Sequence, residues 1–176
     1  MRRKILAGML VIVVTALSAV ALAQEGKDSA AVPGKCDTLK WAEAKFQYVG
    51  EKSCKMCHKA QHESWLTTPH AKAWEVLKPE EQKNAECVEC HSVGKTKADS
   101  LLVNVACEAC HGPGSEYKAK KTMEDPKLAA AAGLLPITEA TCVRCHNKKS
   151  PTFKGFVYAE ALKKGIHAHP PKEEKK

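Results

Sequence analysis

Aromatic side chains are scarce: three Trp, three Tyr and three Phe in 176 residues. Large rings bury the most area per residue, so a chain this poor in them builds little all-protein core. Length allows one domain, or a small pair. Alternating apolar and polar runs are nearly missing, which argues against a sheet-built fold. No basic block stands opposite interleaved aromatics, so nucleic-acid binding has no support. Against these shortages stand nine cysteines. A chain rich in Cys and poor in rings folds around something other than its own side chains. Disulfides, zinc or a prosthetic group remain.

The one long apolar run lies at the N-terminus, from Ile5 to about Leu22, behind the cations Arg2, Arg3 and Lys4. Ala21-Leu22-Ala23 supplies a small-residue cleavage site, and polar residues follow from Gln24. Residues 1–23 therefore read as a Sec signal peptide that is removed on export. No Cys follows the site directly, which excludes a lipoprotein anchor, and no membrane span is expected after cleavage. The protein is expected in the periplasm, with the cell surface or the extracellular space as alternatives. Taking three cations from 28 leaves 25 Lys and Arg against 20 Asp and Glu, a mild excess of +5.

Residues 24–37 read as a flexible leader that carries the unpaired Cys36. Residues 38–169 form the folded domain, and 170–176 a solvated tail. Within the domain, Leu39, Trp41, Ala42 and Phe46 suggest a short helix. Pro69 opens a second, with Ala71, Trp74 and Leu77 at helical spacing. Gly112-Pro113-Gly114 breaks the chain, and Ser115 is placed to cap a segment reaching Lys121. Asp125-Pro126 starts an Ala-rich helix that Gly133 stops. A last helix runs from about Val157 to Lys164, with Gly165 at its end. The predicted fold is mainly α, with little β.

Eight of the nine cysteines fall into one repeated unit. The copies are Cys54-Lys-Met-Cys57-His58, Cys87-Val-Glu-Cys90-His91, Cys107-Glu-Ala-Cys110-His111 and Cys142-Val-Arg-Cys145-His146. A bare Cys-x-x-Cys serves zinc, redox disulfides and haem attachment alike. The following His decides between them. Covalent haem needs two thiols for its vinyl groups and an imidazole below the iron, and this spacing provides both. The rival readings are two zinc clusters, pairing 54/57 with 87/90 and 107/110 with 142/145, or paired disulfides. Neither needs a His after every second Cys. Four covalently bound haem c groups are thus expected, with short helices wrapped around them. The porphyrins then form the core, and the chain without them is expected to be largely unfolded.

His58, His91, His111 and His146 are the proximal iron ligands of this scheme. A second strong ligand gives a six-coordinate iron suited to electron transfer, and an open position binds small molecules. His70, at a helix start behind Pro69, and His167, after the last helix, are the expected distal ligands. His62 and His169 are further candidates. His62 stands four residues after His58 on one helix face and cannot cross to the far side of that haem. Met56 and Met123 read as filler or surface. Distal histidines thus run short of four irons.

Three stretches, YVGEKSCKMCHKAQHESWLTTPHAKAW (48–74), ACEACHGPGSEY (106–117) and FVYAEALKKGIH (156–167), resemble the tetrahaem cytochrome c-554 and c-prime family. CEACHGPGSE is the most specific piece. The resemblance implies a mainly helical protein with stacked haem pairs that passes electrons between partner proteins, other cytochromes or oxidoreductases. It also implies distal roles for His70 and His167. One departure stands at Tyr117, where relatives often carry a distal His.

The leading expectation is therefore an exported tetrahaem electron carrier with no catalytic residues of its own. A small-ligand redox enzyme, acting on nitric oxide or hydroxylamine at an open haem, is the second reading. A subunit of a homo-oligomer or extracellular haem filament is the third.

Overall fold

Helices are short wherever the four motifs interrupt the chain. The computed structural model describes residues 42–169, so the signal peptide, the leader with Cys36 and the tail lie outside the described residues. Residues 42–45 are helical, in line with the first expected helix. Then come α1 (Glu51–Lys55), α2 (Lys59–Leu66), a 3-10 turn at Pro69–Lys72 and another at Glu81–Lys83. α3 (Ala85–His91) leads directly into a hairpin of β1 (Ser92–Lys95) and β2 (Leu101–Val103). α4 (Cys107–His111), α5 (Lys120–Met123), α6 (Pro126–Ala131), α7 (Glu139–Val143) and α8 (Tyr158–Lys164) complete the order. The hairpin is antiparallel, pairing Ser92 with Val103 and Lys95 with Leu101, with a bulge between Ser92 and Gly94. The protein is mainly α.

Two expected helices end up differently. Pro69 gives only one 3-10 turn, because the carbonyls a longer helix would need are taken elsewhere. Val105 N–H donates to His70 O, the His91 ring meets Ala73 O, and Trp74 N–H donates to Asn104 Oδ1. Ser115 caps nothing. Its hydroxyl accepts from Gln47 N–H at 3.1 Å, and its own N–H donates to Gln47 O, so it fastens two segments instead. Helix formation shifts to Lys120–Met123.

Other local signals act as the sequence implies. Asp125 accepts from Lys127 and Leu128 N–H at the start of α6. Gly133, at φ +100°, ends that segment where a Cβ would meet Phe46 at 2.5 Å. Gly165 closes α8 at φ +67°.

The buried apolar residues are mostly small. Ala42, Ala71, Ala106, Ala109 and Ala129 are buried, with only Tyr48, Trp65 and Tyr117 as large members. Trp65, Ala71 and Ala106 pack together, with Val93 against them, and Trp65 Nε1–H donates to Val105 O. Meanwhile Val76, Leu128, Val157 and Leu162 are more than half exposed. The polypeptide's own apolar core is thus thin. Among the described residues no helix is long and apolar enough to cross a membrane.

Candidate haem centres

Each motif rides on a short helix or its edge. Cys54 ends α1, and α3 and α4 carry the second and third motifs whole. α7 holds Cys142, and Cys145 and His146 follow it. A helical turn puts the two cysteines of a motif on one side and brings the His close behind them.

The folded chain brings the motifs together in an order unlike the sequence. The thiols of Cys54 and Cys107 lie within hydrogen-bonding reach, joining the first motif to the third. Cys142 lies near Cys110, and Arg144 of the fourth motif donates to Ala109 O of the third, joining the third to the fourth. Cys145 and Cys90 are again within hydrogen-bonding reach, joining the fourth to the second. The motifs form a row in the order first, third, fourth, second. A zinc scheme pairing the first motif with the second would need other neighbours. Among the described residues no three His, Cys, Asp or Glu side chains gather to hold a bare metal ion.

Three of the motif thiols are poor nucleophiles. The hydrogen bond with Cys107 and burial push the Cys54 thiol up, and burial lifts Cys110 as well. Cys145 is pushed up to about 12, chiefly by burial. Reactive redox cysteines instead have thiols lowered by nearby positive charge. Only Cys107 is lowered here, through its bond with Cys54 across two motifs.

Histidine placement is the sharper observation. The rings of His70 and His146 stand 5.9 Å apart at 81°, and those of His111 and His167 stand 6.3 Å apart at 31°. Two metal–imidazole bonds of roughly 2 Å, plus roughly 1 Å from each nitrogen to its ring centre, require about 6 Å. Both pairs therefore fit an iron between them. Burial and the neighbouring histidines lower His111 to about 4, so its ring is neutral, as ligation needs. Burial likewise lowers His70. The His91 ring meets Ala73 O through Nδ1, which leaves Nε2 for a metal. Phe156 stacks on His146 at 4.8 Å and holds that ring in place. Ala168 N–H donates to Ser64 Oγ at 2.9 Å, drawing the segment around His167 back onto α2. The residues present thus fit haem.

His169 sits 4.7 Å from His167 and belongs to the same cluster. His62 is buried against Trp65, 5.5 Å between rings, with no partner for Nδ1. Tyr117 is also buried. It donates to Gly112 O at 2.7 Å, and burial raises its phenol strongly.

Two residues that sequence reasoning passed over organise the centre. Glu108, in the middle of the third motif, is 1% exposed. Its carboxylate accepts from Val49, Gly50 and Gly114 N–H, the last two at 2.7 Å. It binds the entry to the first motif and the Gly-Pro-Gly turn to the third. Arg144, inside the fourth motif, donates through Nη2 to Ala109 O of the third, and its Nε is buried without a partner. A residue between two motif cysteines carries no sequence mark of this kind.

Comparisons with known proteins point to one family. Residues 53–112 match the family described as cytochrome c554 and c-prime. A cytochrome c-554 from Nitrosomonas europaea is 38% identical over 101 residues, 44% of this chain and 42% of that relative. The match thus spans less than half the length of that protein. The solved structure of reduced cytochrome c554 from Nitrosomonas europaea matches at a TM-score of 0.54 and 28% identity. That match covers 70% of this chain and 85% of that one.

Proposed function

From the match of residues 53–112 to the cytochrome c554 and c-prime family, we propose that the chain is a member of that family and an exported tetrahaem carrier passing electrons between protein partners. When bound, haem c supplies one-electron iron chemistry. Cys54, Cys57, Cys87, Cys90, Cys107, Cys110, Cys142 and Cys145 hold the four groups through thioethers. His58, His91, His111 and His146 bind iron from the proximal side. His70 closes the far side of the fourth motif and His167 that of the third, on the strength of the 5.9 and 6.3 Å ring pairs.

The carrying observation is the row of neighbouring motifs, with thiols in hydrogen-bonding reach at Cys54–Cys107 and Cys145–Cys90 and Cys110 near Cys142 between them. Haems held at neighbouring motifs would supply one-electron sites close enough for an electron to pass along the row by short steps. The first and second motifs are the ends of the row and the places where partners meet it. The signal-like residues 1–23 support a periplasmic site of action. The partners are other cytochromes or oxidoreductases, and the carrier makes or breaks no substrate bonds.

A spectroelectrochemical titration tests this. Four electrons taken up reversibly per chain, spread over several potentials, are expected. Uptake of fewer than four sinks the proposal.

A further inference from the structure

On the reading that every motif carries a haem, we propose that Met123 is the axial thioether ligand of the first motif's iron. His58 lies near enough to His111 to help lower it, yet no ring pair among the described histidines includes it. His70 faces His146 and His167 faces His111, and His169 lies against His167. His62 follows His58 by one turn of α2 and packs on Trp65. None of these pairs involves His58.

A small cavity of about 70 Å³ lies against the first motif. Cys54, Cys57 and His58 line one part of it, and Tyr117, Lys118 and Met123 another. Outside the Cys and His of the motif, four side chains of this lining carry a heteroatom, and three are unfit. The Ser53 hydroxyl donates to Val49 O. The Tyr117 hydroxyl is spent on Gly112 O. Lys118 is exposed, and a charged ammonium has no lone pair to give. Met123 needs no deprotonation, and its soft, polarisable sulfur is a known type of haem ligand. It is half-buried at the C-terminal end of α5, where its N–H donates to Ala119 O at 2.9 Å. The same segment that supplies Tyr117 therefore supplies the sulfur six residues later. A His/Met iron has a higher potential than a His/His iron, so the first motif becomes the electron-accepting end of the row.

The test uses the purified ferric holoprotein and three readouts: haem count by mass, magnetic circular dichroism and low-temperature EPR. The wild type is expected to carry four haems and to show a sulfur-to-iron charge-transfer band in the near infrared. Met123→Leu keeps the volume and removes the sulfur. It is expected to lose the band and to turn one iron high-spin, with the haem count unchanged. Met123→His is expected to return the high-spin content to that of the wild type, without the band. A wild type without the band, or a Met123→Leu variant that keeps it, overturns the assignment while four haems remain bound. Fewer than four haems on the wild type overturns the underlying reading of the motifs instead.

Discussion

At the scale of single residues, the histidines and cysteines could be read from the sequence and their neighbours could not. The adjacency of His to the second Cys is a covalent fact of the chain, so all four anchors stand out at once. The proposed distal ligands lie far along the chain from the motifs they would serve, and His70 and His167 stood out only through their places at helix ends and in family-like stretches. Arg144 left no such trace. It is one of 28 basic residues, yet its guanidinium donates to Ala109 O and lies near Cys110, Cys145 and Tyr48. A fixed positive charge beside two haems favours the reduced, less positive iron. At roughly 8–10 Å and an effective dielectric near 20, such a charge contributes about 1–2 kcal/mol. For one electron that is several tens of millivolts. Arg144→Leu is thus expected to lower the potentials of the third and fourth haems by that amount, and Arg144→Lys to keep most of it. Potentiometry on both variants checks this, and equal potentials in wild type and Arg144→Leu would contradict it.

At the scale of elements, local chemistry was legible where it acts within one segment. The Asp125-Pro126 start, the Gly133 stop and the span of α8 were all readable, because caps and left-handed glycines act on their own turn. The Pro69 and Ser115 segments were misread because partners far along the chain, Val105, Asn104 and Gln47, take their backbone groups. Glu108 is the clearest such long-range tie. One carboxylate completes the hydrogen bonding of Val49, Gly50 and Gly114 and so registers α1, α4 and the Gly-Pro-Gly turn. Glu108→Gln keeps the shape but turns an NH2 group toward backbone donors. At least one buried N–H then loses its acceptor, at a cost of about 2–3 kcal/mol. A denaturation midpoint for the holoprotein that falls by a corresponding amount is expected. An unchanged midpoint would show that Glu108 does not register these elements.

At the scale of the whole molecule, composition already said that the polypeptide lacks a core of its own. The structure bears that out in the described residues, where five of the eight buried hydrophobics are alanine. Large apolar residues such as Leu162 and Val157 stay more than half exposed to anything but a cofactor. What the sequence left hidden was the spatial order of the motifs, since a row running first, third, fourth, second depends on long-range packing that spacing does not encode. A shared folding role for cofactor and chain follows: the haems supply the apolar mass, and the protein supplies anchors, iron ligands and a few tying side chains. The count of haems therefore decides both fold and function. Intact mass spectrometry of the denatured protein, made in a host that matures c-type cytochromes, measures it directly. A mass equal to the mature chain plus four covalent haems is predicted. A mass with fewer, or with none, would contradict the tetrahaem centre on which the rest depends.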